Sequence, residues 1–216
     1  MTDKWRFYSI ASCFFLVFVI LGYCVKFFPD IFVGFDNVIQ TNLRGGLPES
    51  LTRFWKTVTM ISDPEIIIIL VGVLALIFYL NKWKAESGLM IAGMGMLVIL
   101  STILKKIYAR PRPVITHLVK ETSYSFPSNH TAASSMFAGI LAIICWQHIR
   151  HRTIRQVSVI MVVAIGLLVG VSRVYLGVHY PTDIIGGWLL SAGLLCLIYP
   201  TYDQLRFKWR FSSKQV

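Results

Sequence analysis

The stretch Phe7–Phe28, FYSIASCFFLVFVILGYCVKFF, decides the fold class of this chain. It is long and apolar enough for an α-helix to cross about 30 Å of hydrocarbon, which takes about 20 residues. Glu65–Leu80 and Val157–Val171 approach that length. Of the 216 residues, 56% are hydrophobic and only 14% are charged, against about 25% in soluble domains. The sequence therefore predicts an all-helical integral membrane protein and excludes a soluble enzyme, a secreted disulfide scaffold and a disordered chain.

Charges and prolines divide the apolar sequence into six predicted transmembrane helices within a single domain, residues 1–216. The first is expected to remain as an anchor, because it is longer than the apolar part of a signal peptide and no small-x-small cleavage site precedes Lys26. Residues 29–63 are predicted to be a connection in which Leu51–Ile61 lies along the membrane surface. The predicted spans are 7–28, 64–80, 88–106, 130–147, 156–172 and 182–199.

The distribution of Lys and Arg predicts how the chain is oriented. Six spans put both termini on one side with 11 basic residues and leave 10 on the other side. When Lys105, Arg112 and Arg173 are set aside as functional, the second count falls to 7. The positive-inside rule then predicts cytoplasmic termini in the cell membrane. Because the net charge of +11 lies in short loops, it favours lipid headgroups and phosphate over nucleic acid as partners.

Three short strings near span ends hold most of the unusual polar residues. Ionisable groups at the ends of apolar helices are costly unless they are paired, so their convergence on one side of the membrane predicts a functional site. The strings are Lys105-Lys-Ile-Tyr-Ala-Arg-Pro-Arg112-Pro113, Pro127-Ser128-Asn129-His130 and Ser172-Arg173-Val-Tyr-Leu-Gly-Val-His179-Tyr-Pro-Thr-Asp183.

The first two strings suit an anion. The Lys105 ammonium and the Arg112 guanidinium are complementary ligands for a phosphoryl group, although a basic anchor for headgroups is an alternative. Lys106 and Arg110 lie off the motif spacing and are expected to be such anchors. The start of a helix near Ser128–Asn129 offers backbone N–H groups to an anion, whereas His130 alone would suit a polar cap.

The third string suits nucleophilic chemistry. His179 and Asp183 are four residues apart, so the carboxylate can accept one imidazole N–H and leave the other nitrogen as a nucleophile. A structural hydrogen bond is the alternative. Arg173 lies six residues before His179, so both reach one phosphate only if the chain bends, which Gly177 would permit.

Together the strings resemble the signature of the type 2 phosphatidic acid phosphatase superfamily: Lys-x6-Arg-Pro, Pro-Ser-Gly-His and Ser-Arg-x5-His-x3-Asp. Order and spacing match over a motif core of residues 105–183, and Asn129 stands at the family's glycine. Asn tolerates the left-handed backbone that glycine permits. The resemblance implies an all-helical, haloperoxidase-like core with six spans and the activity of a lipid phosphatase.

The resemblance also implies the roles of the site residues. His179 would attack phosphorus to form a phosphohistidine, Asp183 would fix its tautomer, and His130 would protonate the leaving oxygen. No metal or other cofactor is expected, because Asp183 is the only carboxylate in the three strings. The implied phosphate ligands are Lys105, Arg112, Arg173, Ser128 and Asn129.

Three substrates fit this interpretation: phosphatidylglycerophosphate, phosphatidate and undecaprenyl diphosphate. Each combines a phosphate at the membrane surface with an apolar tail. Two other functions stay open from the residues alone. One is a phosphatase for a soluble phosphate ester, and the other is a noncatalytic phospholipid binder or transporter.

Overall fold

The computed structural model describes residues 3–211, which fold into eight α-helices joined by short loops and one longer connection, residues 109–128. The helices are α1 (Lys4–Phe27), α2 (Asp30–Arg44), α3 (Glu49–Met60), α4 (Pro64–Leu80), α5 (Lys84–Tyr108), α6 (Asn129–His148), α7 (Arg152–Tyr175) and α8 (Pro181–Phe211).

The prediction of an all-helical chain is confirmed within the described residues, and each predicted span coincides with a helix. Four of these helices, α1, α5, α7 and α8, are long and apolar enough to cross a membrane. A fifth candidate span consists of α3 and α4, which are bent by 46° at a short break. The predicted span in α6, which carries His130, Thr131, Ser134 and Ser135 in its first turns, is not among these candidates, so six spans stay a prediction.

The outer surface of the bundle is apolar. Ile68, Ile160 and Leu16 are 69%, 67% and 61% exposed, and many other large aliphatic side chains also point outward. A soluble protein would not expose so much contiguous apolar surface, whereas hydrocarbon solvates it. With the apolar helices, this surface indicates a membrane protein.

The interpretation of residues 29–63 as a connection with a single amphipathic stretch was wrong for Asp30–Arg44, which forms α2. The buried residues of α2 are Asp36, Gln40 and Arg44, spaced four apart along one face. Because that stripe is polar, a search for apolar periodicity does not detect the helix.

Small residues bring three helices together beneath the loops. A Cβ added to Gly166 of α7 would lie 2.9 Å from Ala138 Cβ on α6, and one added to Gly187 of α8 would lie 3.1 Å from the Ser128 carbonyl oxygen. The added Cβ atoms would also lie 3.3 Å from the Ser134 carbonyl oxygen and 3.1 Å from Thr131 Cβ, so the small residues at the start of α6 pack closely against α7 and α8. This packing fixes the start of α6 beside the start of α8.

A buried polar cluster links three helices near the start of α5. Glu86 is fully buried and accepts hydrogen bonds from Arg206 Nε at 2.9 Å and from Tyr202 at 3.3 Å, while His148 Nε2 lies 2.9 Å away. Glu86 and Lys105 are separated by about 28 Å of helix. The cluster thus joins α5, α6 and α8 away from the three motif strings.

Candidate active site

His179 and Asp183 meet where the chain turns from α7 into α8. Gly177 has φ +79°, so the predicted bend between Arg173 and His179 is confirmed. Asp183 lies in the first turn of α8, which begins at Pro181, and its Oδ2 is 3.4 Å from His179 Nδ1. Both side chains are buried. Ser125 also contacts Nδ1, at 3.3 Å, and donates a hydrogen bond to Asp183 Oδ2.

The other ring nitrogen of His179 faces the cations. Its Nε2 lies 3.3 Å from Arg112 Nη1. Burial lowers the pKa of His179 to about 3, although the hydrogen bond with Asp183 opposes that shift. The imidazole is therefore neutral at pH 7, and with Nδ1–H directed at Asp183 the lone pair lies on Nε2. That tautomer gives a nucleophile aimed at the cationic side.

Three cations surround this position, each held by fixed acceptors. Arg112 donates to the carbonyl oxygens of Val178 and Ser123, both at 2.7 Å. Arg173, at the end of α7, donates to Thr59 Oγ1 at 2.8 Å, while its buried Nε has no partner. Lys105 donates to Ser123 Oγ at 3.2 Å and to the Tyr124 carbonyl oxygen. Neutral oxygen acceptors thus help to hold all three cations in place.

Glu121, which the sequence interpretation missed, lies between the two arginines. Its Oε2 accepts from Arg112 Nη2 at 3.1 Å and its Oε1 accepts from Arg173. The same carboxylate lies 3.5 Å from His130 Nδ1. Glu121 belongs to the 109–128 loop outside the three strings, so no local pattern identifies it. Its carboxylate lies between two guanidinium groups, a position that would also suit a phosphate.

The start of α6 supplies the second histidine. His130 lies in the first turn, and its Nε2 is 3.6 Å from Asp63 Oδ1. Asn129 is the first residue of α6, and its φ is not positive. Its backbone therefore does not use the left-handed conformation that glycine favours. Asn129 Oδ1 is buried without a partner. Ser128 caps α6 by accepting the Thr131 N–H at 3.4 Å, so its hydroxyl serves the helix.

The expectation that Arg110 is a surface anchor was wrong. Its side chain is 8% exposed and donates to Asp183 Oδ1 at 2.6 Å, to Thr182 Oγ1 at 2.7 Å and to Asp36 Oδ2 at 2.9 Å. Motif spacing cannot reveal this role, because Asp36 is 74 residues away in the sequence. Lys106 is exposed, as expected of an anchor.

A cavity of about 280 Å³ lies among these groups. Its polar wall includes Lys105, Arg112, Glu121, Asn129, His130 and His179. Its apolar wall includes Ile67 and Ile68 of α4 and Leu97 and Val98 of α5. Within residues 3–211, His, Cys, Asp and Glu side chains form no group of three placed to hold a metal ion. The cavity suits a molecule with an anionic head and an apolar body.

Comparison with known proteins agrees with this geometry. Phosphatidylglycerophosphatase B of Bacillus subtilis is 34% identical over 152 residues, which are 70% of this chain and 71% of the relative. Undecaprenyl-diphosphatase BcrC of the same organism is 35% identical over 121 residues, 54% of this chain and 57% of the relative.

A solved structure and a family model extend the likeness. The crystal structure of a transmembrane PAP2 type phosphatidylglycerolphosphate phosphatase from Bacillus subtilis superposes with a TM-score of 0.82 at 26% identity, covering 90% of this chain and 96% of the other. The model of the PAP2 superfamily matches residues 86–207, more than half of the chain and all three strings. The chain therefore belongs to the PAP2 superfamily.

Proposed function

We propose that this protein is a membrane lipid phosphatase that hydrolyses a phosphate ester or diphosphate of a lipid through a phosphohistidine intermediate. One observation carries the proposal: a single cavity is lined both by His179, Lys105 and Arg112 and by apolar residues of α4 and α5. The similarity to phosphatidylglycerophosphatase B and undecaprenyl-diphosphatase BcrC supports the same class of substrate.

In the first step, His179 Nε2 attacks phosphorus and the bond to the leaving oxygen breaks. Asp183 holds the Nδ1 proton and stabilises the positive charge that develops on the ring. His130 donates a proton to the departing oxygen, which belongs to the lipid alcohol or, in a diphosphate, to the lipid monophosphate. Lys105, Arg112 and Arg173 stabilise the nonbridging oxygens, and Asn129 lies beside them.

In the second step, water attacks the phosphohistidine. His130 takes a proton from that water, the P–N bond breaks, and inorganic phosphate leaves with neutral His179 restored. The cations serve both steps in the role that metal ions have in many phosphoryl-transfer enzymes. Turnover is therefore expected to continue in EDTA.

The apolar wall distinguishes lipid from soluble substrates. Ile67, Ile68, Leu97 and Val98 offer nothing to a polar ester but solvate an acyl or prenyl tail. Phosphatidylglycerophosphate, phosphatidate and undecaprenyl diphosphate all meet this requirement. A noncatalytic binder would need the cations alone, so the buried pair of His179 and Asp183 favours an enzyme.

The proposal includes the arrangement in the membrane. The six helices α1, α4, α5, α6, α7 and α8 would cross the bilayer, with the termini in the cytoplasm. The loops 109–128 and 176–180 would then lie on the extracytoplasmic face of the cell membrane, where lipid phosphates of the outer leaflet reach the site directly.

The test is phosphate release by purified protein in detergent micelles containing EDTA. The panel holds the three lipids and glucose 6-phosphate, a soluble ester. His179→Asn is the inactive control, and His151→Asn is its match, because Asn also caps a helix start and His151 caps α7 near the other end of the bundle. Release from the lipids alone by the parent and His151→Asn proteins supports the proposal. Release only from glucose 6-phosphate, or from no substrate, would reject it.

A further inference from the structure

A buried chain of ionic groups continues behind the presumed nucleophile. Arg110 bridges Asp183 Oδ1 at 2.6 Å and Asp36 Oδ2 at 2.9 Å, and its guanidinium lies 4.0 Å from the centre of the Tyr180 ring. Asp36 is 2% exposed and Asp183 is fully buried. Asp183, Arg110 and Asp36 thus form a buried charge trio.

Every contact of Asp36 suits an ionised carboxylate. Its Oδ1 accepts the Thr182 N–H at 3.0 Å, and its Oδ2 accepts from Thr182 Oγ1 at 2.8 Å and from Arg110. Burial raises the pKa of Asp36 above its usual value, and the hydrogen bonds from Thr182 and the charge of Arg110 oppose that shift only in part. Because all of its partners donate, the carboxylate form fits the site.

The sign of the charge trio matters for the reaction. Arg110 alone would neutralise Asp183, and a neutral pair would stabilise a cationic ring on His179 poorly. Asp36 supplies a second negative charge, so the trio keeps one net negative charge in a place that water does not screen. The phosphohistidine ring, which carries the Nδ1 proton and the phosphoryl group, is the cation beside that charge.

We infer that Asp36 and Arg110 are positioning residues that set the charge delivered by Asp183 to His179, and so control how stable the phosphohistidine is. The inference rests on the proposed function. It reaches beyond the residues matched by the family model, since Asp36 lies in α2 and the match begins at residue 86. Asp36, in the region between the first two predicted spans, thus influences the reaction through Arg110 and Asp183.

The experiment changes the charge of the trio in both directions. Asp36→Asn makes it neutral, Arg110→Gln leaves two negative charges, and the double variant restores one. The readouts are kcat with the lipid of the panel that the parent protein hydrolyses fastest, the steady-state fraction of phosphoenzyme after rapid acid-free quench, and Ki for inorganic phosphate. Asp30→Asn is the matched control, because it removes an exposed carboxylate from the same helix.

The phosphoenzyme fraction is expected to follow charge: highest in Arg110→Gln, intermediate in the parent and the double variant, and lowest in Asp36→Asn. Asp36→Asn should lower kcat by about tenfold or more, and the double variant should recover part of that loss. Ki for phosphate should stay within about twofold of the parent, because Lys105, Arg112 and Arg173 are unchanged.

A purely structural role predicts the opposite pattern. The double variant would be no faster than Asp36→Asn, or Ki would rise together with the loss of kcat, and either result would overturn the inference. Should Asp36→Asn not fold, Arg110→Gln against the parent still decides, because a phosphoenzyme fraction that does not rise contradicts the charge argument. Absence of turnover in the parent protein would instead reject the proposed function.

Discussion

Glu121 already occupies the arginine pair that the proposed reaction needs for the substrate phosphate. Its carboxylate accepts hydrogen bonds from Arg112 and Arg173 and lies beside His130. In the proposed reaction the substrate phosphate needs the same two guanidinium groups. Binding therefore exchanges one anion for another, and the tethered carboxylate competes with the phosphate.

Glu121→Gln tests that competition. The amide keeps the shape of the side chain but removes its charge, so phosphate should bind more tightly to the freed arginines. Because a hydrogen bond to a charged group contributes about 1.5–3 kcal/mol, Ki for orthovanadate should fall by about tenfold or more. Glu49→Gln, an exposed acid of α3, is the control. A higher Ki would mean that Glu121 holds the arginines in place for the substrate.

The lowered pKa of His179 predicts a pH dependence of stability. The unfolded chain takes up a proton near pH 6.5, whereas the folded protein does so only near the His179 pKa of about 3. The unfolded state thus binds more protons in that window, and this contribution to stability is present above pH 6.5 and lost as the pH falls. The free energy of unfolding of the parent minus that of His179→Asn should drop by about 1.4 kcal/mol per pH unit between pH 6 and pH 4. Denaturant titrations in mixed micelles measure it, and a difference independent of pH would contradict the neutral buried imidazole.

At the residue scale, the sequence predicts contacts between side chains that are only a few positions apart in the chain. The pairing of His179 with Asp183 depends on four residues of helix geometry, and the structure places the two side chains together. Glu121, Ser125 and the Arg110–Asp36 pair meet the site through folding of the long 109–128 loop and α2. Their contacts span up to 74 residues, so no local pattern encodes them.

At the scale of elements, hydrogen bonds with α2 hold the turn that carries His179 in place. Its polar stripe faces that region: Asp36 binds Thr182, Gln40 Nε2 reaches the His179 carbonyl oxygen at 3.5 Å, and Arg44 donates to the Thr116 carbonyl oxygen at 2.7 Å. The apolar helices were predicted because lipid imposes one composition on them. A short helix with a buried polar stripe has no such signature.

The turn between α7 and α8 requires glycine at position 177. An Ala there would adopt φ +79°, and its Cβ would overlap Arg44 Nη1 and lie 2.7 Å from the Thr116 carbonyl oxygen. We expect Gly177→Ala to destabilise the protein by about 1–3 kcal/mol and to lower kcat, because the turn carries His179. Gly34→Ala is the control, since no atom lies within 4 Å of its added Cβ. Thermal unfolding and phosphate release check both variants; equal behaviour would contradict the stated strain.

At the scale of the whole molecule, sidedness decides which leaflet the site serves. Outside the motif cations, Lys and Arg number 11 on one predicted side and 7 on the other, which favours an outward site. The test uses a variant in which Cys13, Cys24, Cys145 and Cys196 are replaced. His117→Cys or Arg152→Cys is then introduced singly and intact cells are treated with an impermeant maleimide.

Labelling at position 117 but not at 152 is the expected result. Both residues are exposed, so access from either side is not limited by the fold. The reverse pattern would place the 109–128 loop in the cytoplasm. Only lipids of the inner leaflet would then reach the site directly. Permeabilised cells, in which both positions should react, are the control for reactivity.

The proposed mechanism requires a phosphate bound to His179 during turnover, and this intermediate can be trapped and located. The protein is quenched during reaction in EDTA with p-nitrophenyl phosphate, whose apolar aryl ring suits the apolar wall of the cavity as the sugar of glucose 6-phosphate does not, and the modified residue is located by mass spectrometry. Because this leaving group needs no proton, His130→Asn should still be labelled, while its turnover of lipid substrate falls by about 10²–10⁴-fold. We expect an acid-labile phosphate on His179 in the parent and His130→Asn proteins and none in His179→Asn. Phosphate found on His130, or labelling that requires added magnesium, would contradict it.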